Sequence, residues 1–325
     1  MRTGLARMIG AVVVLLGVNS TWLRASDDPP KEMSAEVARL VGWLPEDSET
    51  LIVARSVKLP GPELDGDPRW TDCGVGLAIS DEKNEHWGPL QGREVESIVS
   101  GARNFKVVSA FGSLRRESCS ILRFKDDLGA APKEWTEGLR KSAKAVRSLV
   151  GREVFVFPSE TVMEGGYKQT EWQGTYFVLL DSRTVLCASS DQYLETVLHR
   201  IDEAPKGRAF PDRLPEWKLV DFEAPVWMLC HGNRRGKAEG QTVSFLNKGF
   251  RVAYSPDAKP EQKRKQVEAR WIVSNPEKNV RVKVELRPDD VVVVAFEEEI
   301  LGQEVTDFWL LMNLYWSQST TIFPE

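Results

Sequence analysis

Cys230 and His231 stand side by side, and a thiol beside an imidazole is the pairing that cysteine nucleophiles use. Here the pair lies in an apolar, strand-like run, "WMLCHG", and neighbours on a strand point to opposite faces. The other two histidines are His86 and His199. No serine sits in a Gly-x-Ser-x-Gly elbow, so a hydrolase built on this chain would gather its site from distant residues. There is no His-Glu-x-x-His and no ordered calcium loop. "CGVGLAIS" begins like a dinucleotide fingerprint but carries Ile79 where the third glycine belongs, with no helix opening after it. No motif therefore implies a cofactor or names a catalytic residue.

Three weaker constellations remain. The first is the loop "ELDGDPRWTD", where Asp65, Asp67 and Asp72 stand with Glu63 and can offer oxygen ligands to a hard cation such as Ca²⁺; a solvated turn has the same composition. The second is aromatic. The chain has 11 tryptophans, most of them suited to a core, but Trp70 and Trp87 fall in polar loops, the latter next to His86. Aromatic faces among carboxylates and amides stack on sugar rings, so these three residues are the candidate ligand contacts, with a glycan or peptidoglycan as ligand. The third is basic. On a helix spanning 133–150, Lys133, Arg140, Lys144 and Arg147 fall along one stripe, which can meet an acidic partner or serve as a solvated face.

Cys73, Cys119, Cys187 and Cys230 fit no zinc spacing. Each lies in or beside an apolar run. Two readings stand: buried thiols acting as small hydrophobes, or one disulfide, for which Cys73–Cys119 is the pair expected because both precede strands in the same half.

The elements that would hold these residues can be read from periodicity. Helices are expected at 32–44, 89–102, 132–150, from a capping box at Ser189–Gln192 to Ile201, and at 302–316. Strands are expected at 51–54, 74–80, 105–112, 119–126, 152–158, 172–180, 183–189, 224–232, 242–255, 266–274, 279–287 and 290–299. Residues 255–265 read as a charged loop. The class is α+β, with mixed or antiparallel sheets and packed helices.

Residues 1–25 have the layout of a secretory signal peptide: Arg2 and Arg7, an apolar run from Met8 to Val18, then a cut after Ala25. The run is shorter than the roughly 20 residues a membrane span needs. Removing Arg2, Arg7 and Arg24 lowers Lys+Arg from 43 to 40 against 48 Asp+Glu, so the net charge moves from −5 to −8. That acidity argues against nucleic acid or an anionic membrane as partner. The expected location is periplasmic or extracellular, with no transmembrane segment after cleavage. Residues 26–43 read as linker and helix, 44–204 as a first α+β half, 205–213 as a connection, and 214–325 as a second half.

Both halves open with Leu-Pro-Glu, at Leu44 and at Leu214. "DSRTVLCASSDQYLETVLHRI" and "RPDDVVVVAFEEEILGQEVTDFWLLM" share a charged turn, a strand, an acidic step and an apolar helix. Two repeats at 44–204 and 214–318 are the expectation. The phrases "GWLPEDSETLIVAR", "GTYFVLLDSRTVLCASSDQYLETVLHRI" and "RAFPDRLPEWKLVDFEAPVWML" resemble exported proteins of planctomycete bacteria that have no known activity. The resemblance spans most of the mature chain and implies export and a bacterial source, but no site residues. The expected role is a non-catalytic binding or structural module of the cell envelope, with a glycan or envelope protein as partner. The apolar helix at 302–316 is suited to a core or a homodimer contact. The alternatives are a hydrolase of envelope or extracellular polymer with a dispersed site, and an assembly partner docked through the basic helix.

Overall fold

A computed structural model describes residues 33–58, 88–106, 114–158, 174–203, 209–234, 237–246, 249–273 and 283–297. These form four α-helices and one sheet of twelve antiparallel strands, an α+β fold. In chain order the elements are α1 (Ala35–Gly42), β1 (Thr50–Lys58), β2 (Glu94–Lys106), β3 (Leu114–Phe124), α2 (Ala131–Ser142), β4 (Ala145–Leu149), β5 (Arg152–Pro158), β6 (Gly174–Asp181), β7 (Thr184–Ala188) and α3 (Asp191–Asp202). A 3₁₀ helix, Pro215–Leu219, precedes β8 (Val226–Arg234), β9 (Lys237–Leu246), β10 (Gly249–Tyr254), α4 (Pro260–Val273), β11 (Lys283–Leu286) and β12 (Val292–Glu297). Across the sheet the order is β11-β12-β10-β9-β8-β1-β2-β3-β7-β6-β5-β4. Among the described residues, no helix is long and apolar enough to cross a membrane.

Alternation along the strands sends side chains to two faces, and each face is apolar. Ile52, Ile98, Leu122, Cys187, Met228 and Val252 face α2 and α4, which add Trp135, Leu139 and Val267. Leu51, Val53, Val99, Cys119, Leu186 and Leu229 face α1 and α3, which add Val37, Leu40, Val41, Tyr193, Leu194, Val197 and Leu198. Trp135 and Leu139 are each almost fully buried, which stabilises the docking of α2 by about 1.5–3 kcal/mol per side chain before entropy.

The strand pairing has an internal correspondence. β1 and β8 pair antiparallel at the centre, Ile52 opposite Met228, and each begins a three-strand meander, β1-β2-β3 and β8-β9-β10. A helix follows each meander, and the chain then returns so that β7 pairs with β3 and β12 with β10. The returning hairpins share a register. Val178–Leu186 and Leu179–Val185 in β6/β7 have the same sequence separations as Glu285–Val293 and Leu286–Val292 in β11/β12, although β6/β7 continues past a bulge to the pair Asp181–Thr184. Val185 and Cys187 face the α2/α4 side, as do Val292 and Val294. The hairpin β4/β5 at one edge has no counterpart at the other among the described residues.

Several expected elements differ. Residues 89–102 are not a helix; 94–106 form β2, held between β1 and β3. A bulge between Val95 and Ser97 brings Val95 and Ile98 to the same face, which reproduces a helical spacing on a strand. The expected helix 132–150 ends at Ser142, because Ala143 is extended (φ −66°, ψ 139°) and 145–149 pair with β5. The charged loop 255–265 and the strand 266–274 are replaced by α4. Pro260 is its first residue, and Arg264 pairs with Glu261 at 2.7 Å and with Glu268 at 2.9 Å, the three- and four-residue spacings that support a helix. The stretch 242–255 is a hairpin, β9 and β10. The cap of α3 is Ser190, which accepts the Tyr193 N–H, while Ser189 Oγ accepts the Ser118 N–H. The signal peptide, the strand at 74–80 and the helix at 302–316 lie outside the described residues.

Candidate functional site

The segment between α3 and β8 carries the polar group that the fold treats most unusually. Phe210, Trp217 and Phe222 gather against Trp227 of β8, with ring centroids 5.5–6.5 Å apart. Trp217 Nε1 donates to the Pro211 carbonyl at 3.1 Å, so the ring's polar edge is satisfied as its face is buried. Arg55 also donates to the Phe222 carbonyl. This aromatic anchor fixes the 3₁₀ helix, and Glu216, next to Trp217, is turned inward onto the sheet with its side chain 3% exposed.

Glu216 lies over Gly240 of β9, in the space a side chain there would fill. Its Oε1 accepts a hydrogen bond from Ser255 Oγ at 2.7 Å, just past the end of β10. The same oxygen stands 3.4 Å from Nδ1 of His231, the residue opposite Gly240 in β8. That contact is not aligned as a hydrogen bond: His231 Nδ1 and Glu216 Oε2 are both buried atoms with no hydrogen-bond partner. His231 is about one-third exposed, so the group reaches solvent through the imidazole. Its backbone N–H donates to the Glu49 carbonyl at 2.8 Å, which sets Glu49 beside it on the β1 side. The serine bonds the carboxylate and not the imidazole, which is the wrong order for a serine–histidine–acid relay. A buried carboxylate with one neutral donor is under-compensated, and such a group calls for a cation.

A second buried carboxylate is fully engaged. Glu117 of β3 takes Arg103 Nε at 2.9 Å and Ser190 Oγ at 2.9 Å, and Arg103 also holds Asp47 at 2.6 Å. Ser48 and the Tyr193 hydroxyl are 2.7 Å apart. Burial pushes the Tyr193 phenol well above its usual range, against the opposing effect of the Ser48 hydrogen bond. This network ties β2, β3, α3 and the turn before β1 together.

The residues singled out in the sequence are distributed as follows. Trp70, Trp87 and His86, and likewise Asp65, Asp67 and Asp72, lie outside the described residues. Of the basic four, Lys133 and Arg140 are on α2, whereas Lys144 precedes β4 and Arg147 is within it, so the single helical stripe is not formed. Arg140 pairs with Glu153 at 2.7 Å, and Arg147 stands 3.8 Å from Asp191. Cys119 is a buried thiol whose pKa burial raises to about 12, and Cys73 lies outside the described residues. Cys119 and Cys187 point to opposite faces of the sheet. Sequence reasoning had His231 beside Cys230 but missed Glu216 and Ser255. The available signal was the second Leu-Pro-Glu, whose glutamate is buried; the first, at Glu46, is exposed.

No family model and no curated protein matches the chain. Among solved structures, crystal form III of TP0453 is similar with a TM-score of 0.41 and 9% identity, over 82% of this chain and 97% of that one.

Proposed function

We propose that this chain is an exported bacterial protein that acts as a non-catalytic binding or structural module of the cell envelope, built from two copies of one meander–helix–hairpin unit. The observation that carries the non-catalytic reading is the network around Glu117 and Arg103. Glu117 is consumed by Arg103 and Ser190, and Arg103 by Glu117 and Asp47, so these groups hold elements together and are not poised for proton transfer. The shared register of β6/β7 and β11/β12 supports the two-copy origin, as does the central pairing of β1 with β8. The residues proposed to meet a glycan are Trp70, Trp87 and His86. Lys133, Arg140, Lys144 and Arg147 are proposed to meet an envelope partner from two elements, α2 and the β4 edge.

Export and binding are tested together by expressing the full chain in a bacterial host, fractionating the cells, and sedimenting the processed protein with insoluble peptidoglycan. The reading expects periplasmic or secreted protein, shortened at its N-terminus, that pellets with the polymer. Trp70→Ala with Trp87→Ala should leave it in the supernatant. Retention of full-length protein in the cytoplasm would end the export claim. Unchanged sedimentation of a folded double variant would end the glycan role of the tryptophans.

A further inference from the structure

We infer that Glu216 and His231 form a binding site for a divalent transition-metal ion, Zn²⁺ foremost. Three observations converge on it. The first is spacing. An ion bonded to an imidazole nitrogen at about 2.05 Å and a carboxylate oxygen at about 2.1 Å, at the tetrahedral angle, holds the two atoms about 3.4 Å apart. His231 Nδ1 and Glu216 Oε1 are 3.4 Å apart.

The second is unmet demand. His231 Nδ1 and Glu216 Oε2 are buried without a hydrogen-bond partner, and the Glu216 side chain is almost entirely out of water. One serine hydroxyl engages Oε1 and leaves Oε2 without a donor, a costly arrangement for a buried carboxyl group. The third is preparation. Ser255 holds the ligand oxygen at 2.7 Å, as the outer shell of a metal site orients a carboxylate. Gly240 leaves the carboxylate its room, and the aromatic anchor around Trp217 fixes the backbone that carries it.

The donors are one nitrogen and one carboxylate, a set suited to Zn²⁺ and its neighbours and poorly suited to Ca²⁺ or Mg²⁺. Among the described residues, no group of three His, Cys, Asp or Glu side chains is arranged around an ion. The remaining positions therefore go to water. The ion would bridge the 3₁₀ helix and β8.

The test uses the full mature chain, stripped with chelator and titrated with Zn²⁺ by calorimetry, followed by thermal unfolding with and without the ion. The expected result is one ion per chain, a higher unfolding temperature, and affinity reduced by more than about tenfold in His231→Ala. His231 is partly exposed, so that variant should fold. Glu216→Gln provides a second comparison if it folds. Co²⁺ in place of Zn²⁺ should give the visible bands of a low-coordinate N/O site, absent in His231→Ala. Absence of saturable Zn²⁺ binding to the folded wild type would overturn the proposal. So would binding that His231→Ala leaves unchanged, or an unfolding temperature that does not respond to the metal.

Discussion

Glu216 and Gly240 are complementary in shape: the carboxylate of the 3₁₀ helix lies where a Cβ at position 240 would be. Glycine in a strand interior costs about 0.5–1 kcal/mol relative to alanine through backbone freedom, so this one is retained against propensity for the approach it allows.

Gly240→Ala should therefore destabilise the protein, although the substitution favours a strand locally. The new methyl would press on the Glu216 carboxylate and on the carbons behind it, all of them buried. Overpacking of this kind costs about 1–3 kcal/mol. Urea unfolding of the variant measures it. An unchanged or higher midpoint would mean that Glu216 can withdraw, and that the 3₁₀ helix is not held as described.

Glu117→Ala should be among the more damaging single changes on the α1/α3 face. The Glu117 side chain is 3% exposed and that of Arg103 is 14% exposed. Removing the carboxylate takes the buried partner from a largely buried guanidinium, which keeps the exposed Asp47, and leaves the Ser190 cap hydroxyl without that acceptor. Breaking a buried pair from one side costs about 3–5 kcal/mol, with the lower end expected here because Asp47 remains. Arg140→Ala is the contrast. Its pair with Glu153 is exposed and screened by solvent, and a much smaller loss is expected. Equal effects in the two variants would refute the distinction.

Tyr193 and Ser48 join α3 to the turn before β1 by one buried hydrogen bond across the sequence. Tyr193→Phe removes a donor or acceptor but keeps the ring, and Ser48 still donates to the Pro45 carbonyl at 2.7 Å. The expected cost is about 0.5–1.5 kcal/mol. In a double-mutant cycle with Ser48→Ala the two changes should be less than additive. Strict additivity would show that the 2.7 Å contact contributes nothing to stability.

Much of the class was legible because it depends on patterns that tertiary context leaves intact. Short apolar runs in 183–189 and 290–299 gave β7 and β12, and Ser34 and the three- and four-residue spacing gave α1, whose cap accepts the Val37 N–H. The failures share a cause. In β2 the bulge at Val95/Ser97 set apolar residues three apart on one face, and periodicity alone reads that as a helix. In α4 residues 261–266 are polar throughout, so no apolar period marks its first half; propensity and the Glu261–Arg264–Glu268 ladder support the helix there. β4 was merged into α2 because Val146 and Val150 continue the helix period, while pairing with β5 decided the outcome. The Glu216 site was not legible from spacing. It joins residues from a 3₁₀ helix, β8, β9 and the end of β10, and only the sheet register brings His231 opposite Gly240.

Cys119 should be inert as a nucleophile, and its burial should make stability fall in alkali. Burial raises its pKa from an ordinary 9.0 to about 12. Tyr193 is shifted in the same direction, so folding keeps protons that the unfolded chain would lose. Between about pH 9 and 12 the native state therefore binds more protons than the unfolded state. The contribution of each group is fully present below its unfolded pKa and declines as pH rises, by at most about 1.4 kcal/mol per pH unit for the thiol. Urea midpoints from pH 8 to 11 should decrease, and Cys119→Ala should flatten the fall above pH 9. Alkylation at pH 8 supplies the independent check, since reaction needs the thiolate. Cys119 should stay unmodified in the native protein and react once urea unfolds it. Rapid native labelling at Cys119 would show that the α1/α3 face opens far more readily than its packing implies.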